Sequence, residues 1–476
     1  MTNNTKGGIA MDSENKRPAT PRRRRRSKLQ NLKEAYLPVI IAGAALVLIL
    51  IFIIGSITRA VQRRQIEKQA NIDASVSEAE KLAQLEEEAN GLILDAENFA
   101  IHFDYEGAIA MLDCFTGDPS QFTVLGEKRN EYQQAMDAMI SWDDPNQVVN
   151  LSIHQLVADP ARAFTDPVYA NSYDRNYLTT EEFSMVLQQL YENGYILIRL
   201  SDITSGTLYL PAGKKPLILT QTNVNYYTYM TDSDGDKLPD KDADGFASKL
   251  VLDANGNLTC EMVDSTGQTV TGAYDLVPIL DAFVQTHPDF SYCGAKAILA
   301  VTGYDGLFGY RTDDEAREFF GADYYDNEVS SLSAVIDSLR LSGYDIACYT
   351  FRNVAYGNLT AEEIRQDLDK WSNQVSPILG TVDTLVFAKN SDIATGEQVY
   401  TGDKFDILLE FGFTNYLGFC TDGTPWYSTQ DGYVRQGRLM LTGANLMEHP
   451  DWFRNIFDAI SIKDPQRITE AELDEE

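Results

Sequence analysis

The sequence predicts an α/β fold, a distorted (β/α) barrel that follows one transmembrane helix and an all-α stalk. Three observations predict it. Apolar runs typical of buried strands alternate with amphipathic helical runs over residues 147–462, as in parallel sheets closed by helices. Residues 37–57 carry no charge, and residues 58–146 are rich in helix-forming side chains. An open doubly wound sheet is the alternative to the barrel, and both folds place a site at the carboxyl ends of the strands.

The N-terminal region predicts a single membrane crossing. A helix over residues 37–57 spans about 30 Å at about 1.5 Å per residue, which matches the hydrocarbon core of a bilayer. Residues 22–26 are an unbroken run of arginine before it, which places the N-terminus inside the cell. The apolar run is too long for a cleaved signal peptide, and residues 55–58 lack the usual cleavage pattern. We expect a basic disordered cytoplasmic tail at 1–36, a transmembrane helix at 37–57, and an extracellular body at the cell membrane.

Residues 58–146 predict a helical stalk. Residues 61–88 are rich in Gln, Glu, Lys and Ala, which suits a solvated helix. Residues 103–113 resemble one tetratricopeptide-like hairpin, with Tyr105 and Ala108 in the usual places, but no repeat follows. Another helix is predicted over 121–142, before a break at 143–146. We interpret the stalk as a spacer, with docking of a protein partner as the alternative.

The outer domain, residues 147–462, has its predicted elements in alternating order. Capping boxes that join Thr179 to Glu182 and Thr360 to Glu363 mark two helix starts. Strands are predicted over 148–153, 195–200, 216–220, 295–301, 344–349, 385–388 and 439–441, and helices over 179–190, 277–286, 332–341 and 360–371. Residues 463–476 are interpreted as an acidic tail.

Charge is distributed unevenly along the chain. The chain has 39 basic and 71 acidic side chains, and residues 1–64 hold thirteen of the basic and three of the acidic ones. The rest of the chain therefore has 26 basic and 68 acidic side chains and a net charge of about −42. Such a body repels phosphate backbones, so nucleic acid is not an expected partner. The five cysteines show neither metal-ligand spacing nor a disulfide framework. This usage fits an exported protein of a bacterium that does not rely on disulfides, and we expect a Gram-positive source.

A series of segments in the outer domain follows a distinctive order. The strand with His154 precedes LTTEEF at 178–183, LYENGY at 190–195 and LSD at 200–202, and KPLILT follows at 215–220. Later come SGYDIACYT at 342–350, the helix from Thr360, and FAKNSD at 387–392. In this order the segments resemble the polysaccharide deacetylase (NodB-homology, carbohydrate esterase) family over residues 147–462. The resemblance implies a barrel of the deacetylase type.

The resemblance also implies a catalytic site whose residues differ here. The family holds a divalent metal with two His and one Asp, and a second Asp is the base that activates water. The family's Thr-Phe-Asp-Asp motif aligns with residues 220–223, so base and metal ligand become Thr222 and Asn223, and the two His positions become Tyr349 and Asn353. These groups are neutral and bind zinc poorly. We expect no intact catalytic residue, no zinc or other catalytic metal, and a pseudoenzyme.

Aromatic and polar side chains near the predicted strand ends predict a glycan-binding groove. Aromatic faces stack on sugar rings, and Asn and Arg recognise hydroxyl and acetamide groups. The alternative is that these side chains pack loops and that His154 is a satisfied core histidine. The candidate glycan-binding residues are His154, Tyr226, Tyr227, Tyr304, Tyr310, Arg311 and Asn390. The expected partner is cell-envelope polysaccharide or peptidoglycan.

An aspartate-rich segment at 231–245 predicts a structural calcium site. It resembles the calcium loops of thrombospondin type 3 repeats, with Lys237 where Gly is usual. Alternate carboxylates can direct several oxygens to one Ca²⁺ at about 2.3–2.6 Å. A solvated acidic loop is the alternative. The candidate ligands are Asp232, Asp234, Asp236, Asp240 and Asp244.

Three functions remain open from the sequence. The first is a membrane-anchored, extracytoplasmic deacetylase-like protein that binds or handles cell-envelope glycan without the usual metal-dependent deacetylation. The second is an active carbohydrate deacetylase or hydrolase that uses other groups, such as Asp305 or Asp345 with His154. The third is an envelope assembly protein that docks partners through its stalk.

Overall fold

A computed structural model describes residues 78–206 and 208–468 of the chain. The tail predicted at 1–36, the transmembrane helix predicted at 37–57, the start of the stalk and the end of the acidic tail lie outside these residues. Within the described ranges, no helix is both long enough and apolar enough to cross a membrane. The chain divides into two compact units after Leu85, and the second unit holds everything that follows.

Helices α1 (Glu78–Ala100), α2 (Tyr105–Leu112) and α3 (Thr123–Asp137) come first. The Asp104 carboxylate accepts a hydrogen bond from the Gly107 N–H and caps α2. The helix predicted over 121–142 stops at Asp137, because residues 140–142 form strand β1 and pair antiparallel with residues 208–210. Pairing with a distant segment therefore overrides the local helical pattern.

Most of the strands lie within the outer domain. In chain order the strands are β1 (Ile140–Trp142), β2 (Val149–Ile153), β3 (Leu156–Val157), β4 (Leu178–Thr179), β5 (Tyr195–Leu197), β6 (Leu208–Leu210), β7 (Lys215–Thr222), β8 (Lys249–Leu252), β9 (Leu258–Val263), β10 (Thr269–Gly272), β11 (Ala297–Val301), β12 (Asp345–Cys348), β13 (Thr384–Val386), β14 (Asn415–Phe419), β15 (Tyr427–Gln430) and β16 (Tyr433–Met440).

Seven parallel strands close into a barrel. Around the ring the order is β2, β7, β11, β12, β13, β14 and β16, and β16 pairs back to β2. Strand β5 adds to β7 outside the ring, and β15 pairs antiparallel with β16. The predicted barrel is confirmed, and the open doubly wound sheet is wrong.

Helices cover the outside of the ring. One of them, α6 (Thr180–Glu192), packs Phe183, Val186 and Leu190 in one buried cluster with Leu217 and Leu219 of β7. The capping box predicted at the start of α6 forms, and so does the capping box predicted at Thr360. The helices after α3 are α4 (Pro160–Ala163), α5 (Ala170–Asn176), α6 (Thr180–Glu192), α7 (Leu200–Thr204), α8 (Thr228–Thr231), α9 (Leu276–Thr286), α10 (Asp314–Phe320), α11 (Ala322–Leu341), α12 (Ala361–Lys370), α13 (Ser376–Leu379), α14 (Asp403–Glu410) and α15 (Gly443–Glu448).

Several predicted bounds shift in the structure. The strand predicted over 195–200 ends at Leu197, because Leu200 begins α7 and the Asp202 carboxylate accepts from the Arg199 N–H. The helix predicted over 332–341 starts at Ala322. The strand predicted over 439–441 is the end of the longer β16.

The barrel interior is lined by the side chains that alternate with the helix-facing ones. Its apolar side chains include Ile218, Ile298 and Leu417. Polar groups lie among them: Asn150, the register partner of Ile218, donates to Gln436 at 3.0 Å and accepts from Thr220 at 2.8 Å.

A small antiparallel sheet interrupts the alternation after β7. Strands β8, β9 and β10 pair in order as two hairpins. Tight turns at Gly256 and Gly267, both with positive φ, connect them. This sheet and the aspartate-rich segment together form the insertion between β7 and α9.

Candidate functional site

Backbone strain marks the end of the barrel where the parallel strands finish. Asn223 follows β7, Thr350 and Asn353 follow β12, and Lys389 and Asn390 follow β13, all with φ between 50° and 61°. Non-glycine residues adopt this left-handed conformation rarely, at a cost of about 1–3 kcal/mol each. Such strain clusters at binding and catalytic sites, where the surrounding structure offsets it. The carboxyl end of the barrel is therefore the candidate site.

The four positions aligned with the family's metal ligands and base meet at this end. The Asn353 amide donates to Asn223 Oδ1 at 3.2 Å. Thr222 Oγ1 lies 2.7 Å from Nδ1 of His154, and Thr222 acts on the phenol of Tyr349. Thr222, Asn223 and Asn353 thus belong to one hydrogen-bonded network around His154, with Tyr349 beside Thr222. We call these five residues the mouth network.

The side-chain amide of Asn223 has a defined orientation beside His154. Its Oδ1 accepts from Asn353 and from the Tyr227 hydroxyl at 3.2 Å, so Nδ2, which lies 3.4 Å from His154 Nδ1, can only donate. His154 Nδ1 also lies 2.7 Å from Thr222 Oγ1, which donates to the Ile153 carbonyl at 3.2 Å. Burial and, second, the positive charge of Arg438 lower the pKa of His154 to about 4, so the ring is neutral at pH 7.

The Tyr349 phenol forms the inner wall of the mouth network. Burial raises the pKa of Tyr349, although the charge of Arg438 and hydrogen bonds from Thr222 and the Lys389 backbone act in the opposite direction. The phenol is therefore protonated at neutral pH. Tyr349 presents a neutral hydroxyl where the family resemblance places an imidazole.

The donor set of the mouth network does not fit a catalytic divalent cation. Zinc and related ions need deprotonated or imidazole ligands, and here hydroxyl, amide and phenol groups stand beside one imidazole. In the described structure, the side-chain hydrogen bonds of Thr222, Asn223 and Asn353 go to neutral partners. The network supplies neither the negative charge that would hold the ion nor a carboxylate base.

Tyrosines lie in a row beside the mouth network. Tyr304 and Tyr229 are 48% and 44% exposed. The ring of Tyr227, which is buried, lies between them, with its centroid 6.1 Å from that of Tyr304 and 5.7 Å from that of Tyr229. Tyr169 continues the row, 5.6 Å from Tyr229. We call Tyr169, Tyr227, Tyr229 and Tyr304 the tyrosine rim; it offers aromatic faces next to hydrogen-bonding groups.

Two residues of this region were not among the predicted candidates. Tyr169 belongs to the rim, and the Tyr177 ring centroid lies 5.6 Å from that of His154. The Tyr177 hydroxyl is 3.5 Å from the hydroxyl of Tyr229. Both residues lie between β3 and β4, where no motif marks a site. The available signal was the spacing of Tyr169, Tyr173 and Tyr177, which repeats every four residues.

Three predicted glycan-binding residues are internal in the structure. Tyr226 is fully buried and donates to Asp275 at 2.8 Å. Arg311 is buried and donates to the backbone oxygens of Asp305 and Tyr226 at 2.8 and 2.9 Å. Tyr310 is also buried. These side chains stabilise the loops behind the site, so the loop-packing alternative describes them.

The other candidates lie at the site. His154, Tyr227 and Tyr304 belong to the mouth network or to the tyrosine rim. Asn390 is exposed directly after β13. Of the two acids considered as alternative catalytic groups, Asp305 follows β11 at this end, whereas Asp345 begins β12 at the opposite end of the barrel. Asp345 is therefore too far away to act with His154.

The aspartate-rich segment brings three of its five candidate ligands together. One carboxylate oxygen each from Asp232, Asp234 and Asp240 lies within 4.8 Å of the others. Backbone N–H groups of Gly235 and Lys237 hold the Asp232 carboxylate at 2.8 Å. The spacing of the three oxygens is compatible with a shared Ca²⁺.

The other two aspartates of that segment are engaged differently. The Asp236 carboxylate accepts from the Leu238 N–H at 2.8 Å. The Asp244 carboxylate accepts from the Tyr173 hydroxyl, and burial raises the pKa of Asp244 to about 6. Neither belongs to the group of three carboxylates.

Comparison with known proteins gives likenesses at the level of structure. No family model matches the chain, and no curated protein matches its sequence. The Streptococcus pyogenes deacetylase PplD is 11% identical with a TM-score of 0.35, over 65% of this chain and 95% of its own. A de-N-acetylase of Aggregatibacter actinomycetemcomitans is 10% identical with a TM-score of 0.33, over 62% and 95%.

A third likeness is to a Bacillus anthracis protein described as a polysaccharide deacetylase. It is 11% identical with a TM-score of 0.31, over 64% of this chain and 66% of its own. All three proteins are described as deacetylases.

Proposed function

We propose that the chain is a membrane-anchored, extracytoplasmic deacetylase-like protein that binds cell-envelope glycan without the usual metal-dependent deacetylation. The observation that carries the proposal is the position of the neutral mouth network directly beside the tyrosine rim. Tyr227 connects the two, since its hydroxyl donates to Asn223 and its ring lies next to those of Tyr229 and Tyr304. The anchor rests on the apolar run at 37–57.

The chemistry of this surface suits a saccharide. Sugar rings have apolar faces that stack on aromatic rings and hydroxyl groups that need hydrogen-bond partners. Tyr229 and Tyr304 of the rim supply exposed aromatic faces, and the network supplies amide and hydroxyl groups.

The same groups are poorly suited to hydrolysis. An imidazole with a pKa of about 4 is a weak base at neutral pH. The Thr222 hydroxyl beside it is fully buried, which restricts the approach of an acyl group. Binding is therefore the better supported role of the site.

Titration calorimetry with acetylated chito-oligosaccharides and peptidoglycan fragments tests the binding role, using the full chain purified in detergent. Tyr304→Ala and Tyr229→Ala are each expected to weaken binding by about three- to tenfold, the order of one lost aromatic contact. Tyr209→Ala is the matched control, because Tyr209 is 49% exposed on β6, away from the rim. Equal affinities for all four proteins would contradict the proposal.

The same preparations test the loss of catalysis. With zinc, cobalt or manganese added, we expect no release of acetate at ordinary enzymatic rates. Release that disappears on changing Tyr349 or Asn223 would establish the alternative, an active deacetylase that uses other groups.

A second candidate function, partner docking through the helical region, is favoured by exposed apolar side chains. Leu94 and Phe99 on α1 and Ile101 after it are 63%, 38% and 44% exposed. Crosslinking in intact cells distinguishes the two functions: protein crosslinks concentrated in residues 61–146 would favour an assembly protein.

A further inference from the structure

Arg438 is an enclosed cation without a carboxylate partner. It lies on β16, and its side chain is fully buried inside the barrel. Its guanidinium donates to the Gly418 carbonyl at 3.1 Å, to the Ser152 hydroxyl at 2.9 Å, to the Phe387 carbonyl at 2.8 Å and to the Met440 sulfur at 3.8 Å. All four acceptors are neutral, so the positive charge is not cancelled by an ion pair.

Other enclosed arginines of the described structure are paired. Arg435 contacts Asp392 at 2.8 Å, and Arg467 contacts Glu182 at 2.6 Å. A buried charge is ordinarily retained only with a counter-charge, because removal from water is costly. Burial lowers the pKa of Arg438 to about 10, so the guanidinium still carries its proton at neutral pH.

The charge lies next to the mouth network. Ser152, which accepts from Arg438, is on β2 two residues before His154, and Phe387, whose carbonyl also accepts from Arg438, follows β13 two residues before Lys389. The charge of Arg438 influences both His154 and Tyr349. Asp392 acts on Arg438, but its carboxylate is paired with Arg435 at 2.8 Å.

An uncompensated positive charge behind neutral hydrogen-bonding groups favours an anionic ligand. We propose that the mouth network binds the carboxylate of an acidic saccharide and that Arg438 supplies the opposite charge. The proposal rests on the proposed glycan-binding function and narrows it to carboxylate-bearing sugar units. It also gives a reason for the neutral donor set, because a fixed cation at this depth repels a divalent metal.

The acidic surface of the protein gives the proposal a distinct salt dependence. The chain has 71 acidic against 39 basic side chains; Asp305 and Asp313, behind the rim, are buried, and Asp305 contacts Arg311 at 3.7 Å. The surface charges repel an anion over distance, but salt screens them within about 8 Å at physiological ionic strength, whereas a buried charge is screened much less. Affinity for the anion should therefore rise or stay constant as salt increases, opposite to the behaviour of a surface basic patch.

The test compares two probes that differ in one carboxylate, cellobiouronic acid and cellobiose, by calorimetry on the full chain. We expect the acid to bind about tenfold more tightly or better, as for one charge pair at low effective dielectric. The preference should survive a rise from about 50 to about 500 mM sodium chloride. Arg438→Gln should abolish the preference while cellobiose still binds, and Arg438→Lys should retain it.

Controls separate folding and surface charge from the proposed role. Arg352→Gln removes a nearby surface cation that is already paired with Asp367 at 2.8 Å, and it should leave the preference unchanged. Near-ultraviolet circular dichroism shows whether the Arg438 variants are folded, and the wild-type comparison does not depend on them. Equal binding of both probes by the wild-type chain would overturn this inference and leave the glycan-binding function standing; binding of neither probe would overturn both.

Discussion

His154 is half-buried and Asp275 is fully buried near the same strand ends, and the two groups respond to pH in opposite directions. Burial lowers the pKa of His154 to about 4 and raises the pKa of Asp275 to about 6. Hydrogen bonds from Tyr226 and Gln221 limit the shift of Asp275. Each group prefers its neutral form in the folded protein, so each contributes a pH dependence of stability with its own sign.

The free energy of unfolding should respond to His154→Gln in a defined pH window. Between pH 6.5 and 4 the unfolded histidine binds a proton that the folded one does not, so the wild type loses stability as pH falls. Relative to the variant, we expect this loss to reach about 3 kcal/mol by pH 4. Urea unfolding of both proteins at several pH values measures the difference.

Asp275→Asn is the control, because its effect on the free energy of unfolding should change with pH in the opposite direction. The folded Asp275 takes up its proton near pH 6 and the unfolded one near pH 4, so this residue's contribution to stability is present at low pH and lost as pH rises through that window. The wild type should therefore gain stability relative to Asp275→Asn as pH falls. A constant difference between wild type and His154→Gln across this range would show that the histidine is not buried as described.

Two neighbouring tyrosines, Tyr226 and Tyr227, show that the sequence does not determine which side chain lies at the site. Tyr226 and Tyr227 have the same chemistry, yet Tyr226 donates to Asp275 behind the site and Tyr227 donates to Asn223 within it. The left-handed φ of Asn223 and of Tyr226 turns the chain sharply after β7. A sequence pattern does not report φ, so both residues were equal candidates.

At the scale of elements, the aspartate-rich segment gives a calcium prediction. We propose that Asp232, Asp234 and Asp240 bind Ca²⁺ with a structural role, since their oxygens approach within 4.8 Å. Calcium should raise the Tm relative to chelated protein, because a ligand that binds only the folded state stabilises it. Asp234→Asn should remove most of that increase. Differential scanning calorimetry with calcium and with chelator measures it.

Asp242→Asn is the matched control for the calcium prediction. Asp242 lies in the same segment but contacts Lys241 at 2.7 Å instead of joining the three carboxylates. Its replacement should leave the calcium-dependent increase intact. An equal Tm with calcium and chelator would favour the solvated acidic loop.

Local signals predicted some elements well and missed others. The capping boxes at Thr179 and Thr360 form because each needs only residues within one turn. Strands β8, β9 and β10 were not predicted, although Asp253 and Gly256, and then Asp264 and Gly267, are typical of tight turns between short strands. Strand β1 was not predictable locally, because its partner, β6, is distant in the sequence.

At the scale of the whole molecule, a cluster of ion pairs connects the C-terminal segment of the outer domain to helices near the start of that domain. Arg467 contacts Glu182 at 2.6 Å and Asp174 at 3.2 Å, and all three side chains are buried. Glu182 also completes the capping box of α6. The residues after β16 are therefore tied to elements near the start of the ring.

Arg467→Met should lower the free energy of unfolding by about 3–5 kcal/mol, because it leaves two buried carboxylates without their counter-charge. Urea unfolding measures the change. Arg454→Met is the control, since Arg454 is exposed in the same C-terminal segment, and it should have little effect. A small effect of Arg467→Met would mean that the segment is not tied down as described.

The order of the elements was sufficient to predict the barrel, and the general rule for parallel strands predicts a site at their carboxyl ends. The resemblance to the family's motifs selected Thr222, Asn223, Tyr349 and Asn353, and these residues lie together at that end. Arg438 was not predicted, because its role depends on which face of β16 points inward and on the absence of an acid nearby in space. Both features depend on how distant strands pair, and a local sequence pattern does not report that pairing.

The closure of the ring determines when the domain can fold. Leu151 of β2 pairs with Leu439 of β16, so the first and last strands of the barrel are direct neighbours. Until residues 433–440 have left the ribosome, β2 has an unpaired edge that invites association with other chains. Pairing between such distant segments is also slow. Completion of the barrel therefore waits for its last strand, and a nascent chain needs protection from proteases and aggregation until β16 is available to pair with β2.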